Sequence, residues 1–234
     1  MIDVRPFAGL GHFRNDWLNA RHHFSFGHYH DPARMGFGAL RVWNDDEIAP
    51  GTGFDPHPHR EMEIITYVRQ GAITHRDSLG NEGRTEAGDV QVMHAGTGIT
   101  HAEYNREPEA TRLFQIWILP DRHGAAPDWG MRSFPKQAGD GLVLLASGRP
   151  ADAQAGALPL NADAAVAAGR LTPGETVEWA LAPGRSAYLV AASGSVSVNG
   201  VAAGTRDGVA VTGEETLRIK AEVPTELVLV DMAA

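Results

Sequence analysis

The sequence predicts an all-β protein built from two domains, and three observations lead to this fold class. The chain has 234 residues, which corresponds to between one and two domains at about 150 residues each. Its 27 glycines and 14 prolines are many for a helical bundle and are typical of a chain that turns often. Its apolar residues fall in short runs of strand length, and few segments repeat with the helical period of about 3.6 residues.

The apolar runs give the predicted strands in chain order. They are residues 40–43, 62–68, 90–93, 113–119, 142–146, 187–191, 196–198 and 227–230. The second run is rich in β-branched and aromatic residues, as expected of a half-buried strand. Glycine and asparagine predict turns at Ser78-Leu-Gly-Asn81 and at Asn199-Gly200, the latter a two-residue hairpin. The alanine-rich stretch 151–168 has room for one or two helical turns, which Pro159 limits.

The two halves of the chain differ in composition. Beyond Phe134 there are no histidines, and the chain continues as alanine-, valine- and glycine-rich strands. The stretch 127–140, with two prolines and two glycines, is typical of a domain boundary. We therefore expect an N-terminal domain of residues 1–134 that carries the chemistry and a C-terminal domain of residues 135–234 that does not.

Charge and cysteine content exclude several classes of function. Lys and Arg number 20 against 29 Asp and Glu, a net charge of −9, which disfavours nucleic acid as a direct ligand. No run of eighteen apolar residues predicts a membrane span, and the N-terminus does not resemble a secretory signal, so we expect a cytoplasmic protein. Because cysteine is absent, disulfides, iron–sulfur clusters and thiolate zinc sites are excluded, and any metal must be held by His, Asp or Glu.

Two pairs of side chains have a spacing that suits metal binding. His57 and His59 lie on one face of an extended segment, because side chains alternate along a strand, and Pro58 is acceptable at a strand edge or start. A second pair with the same spacing, His101 and Glu103, follows after 42 residues. If both strands meet inside one barrel, three imidazoles and one carboxylate converge, a set that suits a divalent first-row metal.

The remaining histidines are interpreted differently. The segment 21–30 holds four histidines interleaved with aromatic residues, and we interpret it as an N-terminal strand or lid over the pocket rather than a second metal site. His75 and His94 are expected to be hydrogen-bonded, partly buried imidazoles. His12 and His123 are expected to lie in surface loops.

Three polar residues near these pairs are candidate supporting groups. Glu61 and Glu63 share a face with the first histidine pair if the strand continues without a bulge, so one of them could accept a hydrogen bond from a ligand imidazole. The alternative is a solvated or ion-paired carboxylate on a strand. Gln115 is polar within an apolar strand and is expected to face the pocket, since a buried amide needs a partner.

Longer strings of residues resemble a known family. Gly51-x5-His57-x-His59-x3-Glu63, followed by Gly88-x5-His94-x-Gly96 and then His101, resembles the two cupin motifs. More specifically, HPHREMEIITYV, RDSLGNEG, GDVQVMHAGTGITHAEYN and the upstream MGFGALRVWNDDEIAPGTGF resemble the pirin family over residues 15–120. Two features depart from the general cupin pattern: seven residues separate Glu63 from Gly71, and His94 stands where proline is common.

This resemblance implies two tandem cupin domains, each a jelly-roll β-barrel, of which only the first binds metal. It implies the ligands His57, His59, His101 and Glu103. The cofactor would be one divalent first-row transition metal, with Fe(II) the first expectation and Mn, Ni, Co, Cu or Zn as alternatives.

The resemblance also implies an activity, quercetin 2,3-dioxygenase, with a flavonol and dioxygen as substrates and carbon monoxide as a product. Glu103 would then be the catalytic base for the flavonol 3-hydroxyl. Phe24, Phe26, Phe54 and Trp43 are candidates for the apolar walls of the pocket, or for the core. Two alternatives stay open: a non-enzymatic redox sensor or regulator acting through a protein partner, and a metal-dependent isomerase or other cupin enzyme.

Overall fold

Nearly all of the regular structure is β. The structure, a computed structural model, describes residues 1–134, 137–152 and 154–233. The strands of the first half are β1 Ile2–Arg5, β2 Gly11–Arg14, β3 Leu18–His22, β4 Leu40–Ile48, β5 Gly53–His59, β6 Glu63–Gln70, β7 Ala72–Asp77, β8 Glu82–Glu86, β9 Val90–His94, β10 Ile99–Tyr104, β11 Thr111–Ile118 and β12 Asp128–Arg132. Those of the second half are β13 Val143–Ser147, β14 Leu158–Pro159, β15 Ala164–Leu171, β16 Thr176–Ala180, β17 Arg185–Ser193, β18 Val196–Val198, β19 Val201–Ala203, β20 Gly208–Thr212, β21 Thr216–Ala221 and β22 Thr225–Ala233. Short 3-10 turns occur at Phe7–Gly9, Pro32–Arg34 and Pro150–Asp152.

The predicted strands and turns are confirmed, since each of the eight apolar runs overlaps a strand. Asn199 and Gly200 join β18 to β19 with φ of 47° and 85°, the positive angles that a two-residue type I′ hairpin requires. In the stretch expected to hold helical turns, one 3-10 turn lies at its start and β15 occupies its end, while Ala153 lies outside the described residues. Among the residues that the structure describes, no helix has the length and apolar character needed to cross a bilayer.

The two halves repeat one plan, a seven-stranded sheet facing a four-stranded sheet. In the first half the sheets run β12-β9-β6-β11-β4-β3-β2 and β5-β10-β7-β8. In the second half they run β1-β20-β17-β22-β15-β13-β14 and β16-β21-β18-β19. Apart from β13 with β14, the paired strands are antiparallel. The all-β prediction is therefore correct, and each half forms a barrel.

Side chains of the large sheets alternate between a barrel interior and a core shared by the two barrels. On β6, Ile65 and Tyr67 enter the shared core, where they meet residues of the second half such as Tyr188 and Val230. Ile64 and Val68, which take the alternate positions on either side of this pair, point into the first barrel. Successive side chains of a strand point to opposite faces, so both faces of β6 are buried. The two barrels pack against each other through their large sheets.

The boundary between the halves has one exception near the N-terminus. Strand β12 belongs to the first barrel and β13 to the second, and Pro135 and Lys136, beside the expected boundary, lie outside the described residues. However, β1 pairs with β20, for example Ile2 with Val211, so the first strand is part of the second barrel's sheet. We keep the division of the chain between residues 134 and 135 as a proposal, with β1 assigned to the C-terminal half.

Candidate metal centre

The first histidine pair lies on β5, an edge strand of the small sheet. Proline cannot donate to a neighbouring strand, so Pro56 and Pro58 fit only where one side of the strand is unpaired, as the sequence predicted for Pro58. Gly53 begins β5 beside Glu103, and a Cβ at this glycine would lie 2.1 Å from the Glu103 carbonyl oxygen. Only glycine therefore lets β5 approach β10 this closely.

Three imidazoles converge between β5 and β10. His57 lies directly opposite His101 in the strand register, and their Nε2 atoms are 3.1 Å apart. A nitrogen from each of His57, His59 and His101 lies within 4.8 Å of the other two. Metal–nitrogen bonds of about 2.0–2.1 Å place two such ligands about 3.0–3.4 Å apart, so these residues fit a divalent metal.

Burial keeps two of these imidazoles neutral. Desolvation, reinforced by the neighbouring His57, lowers the pKa of His59 to about 4. Desolvation followed by the nearby His57, His59 and His75 lowers the pKa of His101 to about 2. Because a metal binds the unprotonated ring, both nitrogens are available for coordination at neutral pH.

A buried chain of hydrogen bonds orients His101. Asp77 Oδ2 lies 3.0 Å from His75 Nε2, and His75 Nδ1 lies 3.3 Å from His101 Nδ1. The carboxylate accepts the Nε2 proton of His75, so His75 Nδ1 accepts from His101 Nδ1, and the lone pair of His101 Nε2 is left facing His57. His75 also stacks on Trp129, with ring centroids 4.8 Å apart and planes at 9°.

Glu103 is buried in the same cavity and held by polar side chains. Its carboxylate accepts hydrogen bonds from Thr66 at 3.3 Å, from Gln91 at 2.5 Å and from Gln115. Burial raises its pKa to about 7, against the lowering effect of these donors. One carboxylate oxygen lies within 4.8 Å of nitrogens of His75 and His101, so Glu103 adjoins the histidine cluster. Its place in a four-ligand set stays a proposal.

The histidines open onto a cavity of about 440 Å³, within the range of about 300–1,000 Å³ typical of small-molecule sites. Its apolar lining includes Trp17, Leu18, Phe26, Phe54, Ile64 and Trp117. The expectation that Phe26 and Phe54 are wall residues is confirmed. For Phe24 and Trp43 the core alternative holds, because they are 1% and 0% exposed in the core between the barrels. Asn44, next to Trp43 on β4, faces the cavity, so Trp43 points the other way.

The two candidate glutamates support other groups than the metal ligands. Residues 60–62 interrupt the strand, and Glu61 has a φ of +49°, so the face is not continued past His59. Glu61 accepts from the His123 ring and from the backbone N–H of Gly124, both at 3.0 Å. Glu63 bonds the His94 ring and accepts from Asn161 N–H at 3.0 Å, which places it at the junction of the two barrels.

The other histidine predictions hold with one change. His75 and His94 are buried and hydrogen-bonded, and His123 lies exposed in the loop after β11. His12 is exposed but lies on β2 and bonds Asn19 at 2.9 Å, so it is not a loop residue. The segment 21–30 contributes His22 and Phe26 to the cavity wall, as expected of a strand and lid.

Sequence reasoning missed the groups that surround Glu103 and His101. They are His75 and Asp77, which bond each other on the small sheet, and Thr66, Gln91, Asn44 and Asp46 on the large sheet. A signal was present, since Thr66 and Gln91 are polar residues inside otherwise apolar strands at inward-facing positions, as Gln115 is. The alternation of strands would have placed all three on one inner face.

Comparisons with known proteins agree with this architecture. Residues 4–118 match the family model described as Pirin, and residues 144–232 match the quercetinase C-terminal cupin domain. The chain is 59% identical over 234 residues to the Pirin-like protein of Caulobacter vibrioides, covering 100% of both. It is 41% identical over 233 residues to the quercetin 2,3-dioxygenase of Escherichia coli strain K12, covering 99% of both.

Among solved structures, the chain matches bacterial pirin YhhW from Escherichia coli in complex with nickel(II). The TM-score is 0.92 at 41% identity, covering 100% of this chain and 99% of that chain. The expectation of two tandem cupin domains is confirmed.

Proposed function

The chain belongs to the pirin family, and on this premise we propose that it is a metal-dependent quercetin 2,3-dioxygenase. One observation carries the proposal. Three imidazoles meet at a cavity walled by aromatic and aliphatic side chains. The Nε2 atoms of His57 and His101 are 3.1 Å apart, and the ring centroid of His59 lies 4.8 Å from that of His57 and 5.0 Å from that of His101. Such a cavity suits a flat aromatic molecule that reacts at a metal. The Escherichia coli relative, which is named quercetin 2,3-dioxygenase, supports the same substrate.

We assign His57, His59, His101 and Glu103 as the metal ligands. A bound divalent metal, Fe(II) first and Mn, Ni, Co, Cu or Zn as alternatives, would act as a Lewis acid that acidifies the flavonol 3-hydroxyl and orients the reactants. The supporting evidence is the cluster of ring nitrogens and the adjoining buried carboxylate.

Glu103 is the proposed base. Without a metal, burial raises the pKa of the Glu103 carboxyl to about 7. Gln91 and Gln115 hold the carboxylate in the cavity, where it can accept the proton of a bound flavonol hydroxyl. The proton of the flavonol 3-hydroxyl passes to Glu103, and the electron-rich flavonolate is oxidised by dioxygen. Both oxygen atoms enter the products, the heterocyclic ring opens, one carbon leaves as carbon monoxide, and Glu103 returns its proton to the ring-opened carboxylate.

A regulatory protein without enzymatic activity is the less favoured alternative. A regulator that acts through a protein partner needs a contact surface, whereas the features of this site lie inside a barrel. His101 and Glu103 are 3% and 2% exposed, which suits a small molecule that enters the cavity rather than a protein that docks on it.

The test combines metal content with gas exchange. We expect the purified protein loaded with Fe(II) to consume one dioxygen and release one carbon monoxide per quercetin, followed by flavonol absorbance and by carbon monoxide capture on reduced haemoglobin. His59→Ala and His101→Ala should lose stoichiometric metal and turnover. The matched control His123→Ala, which alters an exposed loop histidine, should keep both. Metal-replete protein that takes up no oxygen with quercetin would overturn the proposal.

A further inference from the structure

A group of polar side chains lines the cavity on the wall opposite the small sheet that carries the histidines. On the inner face of the large sheet, His22, Asn44 and Gln115 lie side by side on β3, β4 and β11, and His22 Nδ1 is 2.8 Å from Asn44 Oδ1. Asp46 follows on the same face of β4, with Ala20 and Leu113 as its cross-strand neighbours. We call these residues the polar wall; His22, Asn44, Asp46 and Gln115 all line the cavity.

Two oxygens of the polar wall lack a hydrogen-bond partner. Within the described part of the chain, Asp46 Oδ1 and Gln115 Oε1 are buried without one, in residues that are 2% and 7% exposed. The orientation of the Gln115 amide is set, because its Nε2 donates to Glu103, and so Oε1 remains an acceptor. An unpaired buried polar atom costs stability, and this protein carries two in one site.

The fold itself does not require polar side chains at such positions. The second barrel has the same plan of sheets, yet the inner positions of its large-sheet strands β17, β20 and β22 are mostly aliphatic: Leu189, Val209, Val211, Leu227 and Leu229. The buried Asp231 on the same face of β22 is ion-paired with Arg149 and Arg185. The unpaired Asp46 and Gln115 oxygens therefore belong to the barrel that holds the histidine cluster and are not a requirement of the fold. These unpaired acceptors fit a ligand that brings hydrogen-bond donors into an otherwise apolar cavity.

We propose that Asp46 and Gln115 accept hydrogen bonds from phenolic hydroxyl groups, so that the cavity selects flavonols that carry hydroxyls on their rings over flavonols that lack them. This inference rests on the proposed function, and it names the substrate class of that site. Phenolic hydroxyls on a flat ring are donors that the aromatic walls Phe54 and Trp117 also accommodate. Burial and then the neighbouring Asp45 raise the pKa of Asp46 well above its usual range, which favours the neutral carboxyl.

The test measures binding without turnover. Protein loaded with Fe(II) under argon is titrated calorimetrically with quercetin and with 3-hydroxyflavone, which keeps the 3-hydroxy-4-oxo group but lacks the other hydroxyls. We expect quercetin to bind at least about tenfold more tightly, the effect of one hydrogen bond to a buried partner. Asp46→Leu should raise the Kd for quercetin by about tenfold and change the Kd for 3-hydroxyflavone by no more than about twofold. Asp46→Asn should keep the Kd for quercetin within about threefold of the wild-type value.

Controls separate binding from folding. Phe54→Leu, which alters an apolar wall of the cavity, should raise the Kd for quercetin and the Kd for 3-hydroxyflavone by similar factors. Ligand-free Asp46→Leu should resist denaturant at least as well as the wild type, because it removes an unpaired buried oxygen.

Two results would overturn the proposal: wild-type protein that binds the two flavonols within about threefold of each other, or Asp46→Leu that weakens both equally. The wild-type comparison decides even if a variant fails to fold. If neither flavonol binds the loaded protein, the proposed function fails, and this inference fails with it.

Discussion

Replacing His75 with phenylalanine tests whether the buried chain from Asp77 to His101 supports metal binding. Phenylalanine keeps a ring to stack on Trp129 but removes the nitrogens that bond Asp77 at 3.0 Å and His101 at 3.3 Å. Loss of such an outer partner typically weakens metal binding by about 10–100-fold. At a metal concentration 100 times the wild-type Kd, the stabilisation of about 2.7 kcal/mol would fall to between about 1.4 and 0.4 kcal/mol.

Two measurements check this expectation. Competition with a chelating dye gives the Kd of the metal, and urea unfolding with and without metal gives the stabilisation. Asp77→Asn should also weaken metal binding, by a smaller factor, and His123→Ala should leave the Kd unchanged. A folded His75→Phe protein with a Kd within about twofold of the wild type would refute the reasoning, and complete loss of binding would instead make His75 a direct ligand.

Three further predictions concern the base, acid stability and the approach of two strands. Glu103→Gln should lower turnover by about 100-fold or more with a smaller loss of metal affinity, measured by steady-state kinetics and chelator competition; equal losses would make Glu103 only a ligand. Burial lowers the pKa of His23 to about 3, so the unfolded state binds more protons below pH 6.5 and stability falls with acid. Between pH 6.5 and 5, His23 should therefore lower the free energy of unfolding by about 1.7 kcal/mol. Urea unfolding of His23→Gln should show a loss that is smaller by this amount, and an unchanged pH dependence would contradict the prediction. Gly53→Ala should lower the free energy of unfolding by about 1–3 kcal/mol, because the added Cβ meets the Glu103 carbonyl. Thermal unfolding of the control Gly9→Ala, where nothing lies within 4 Å, should match the wild type, and equal effects of the two substitutions would refute the steric argument.

The strands and the histidine cluster could be predicted from sequence because both depend on local patterns. A short apolar run between turn residues, rich in β-branched side chains, favours a strand. The spacing of His57 and His59 puts them on one face of an extended segment, and the prolines keep it extended. That His101 lies opposite His57 depended on the assumption that two strands meet in one barrel.

What the sequence left open or missed are features that depend on tertiary placement. Trp43 was a candidate for the cavity wall or for the core because it is a large aromatic residue, and only its placement on β4 decides which face it takes. Glu63 follows His59 by four residues, yet an irregular segment transfers it to another sheet. Strand β1 meets β20 across about 200 residues of chain, and no local pattern in four residues reports such a pairing.

The pairing of β1 with β20 has a practical consequence for dividing the molecule. A fragment that starts after residue 134 would leave one side of strand Gly208–Thr212 without the neighbour it has in the intact chain. Exposed strand edges can pair with other chains and cause aggregation. Complementing that fragment in trans with a peptide containing Ile2–Arg5 should restore its solubility. The first residues of this polypeptide thus cover an edge of the second barrel's large sheet, and fusion partners placed ahead of them will lie beside that barrel.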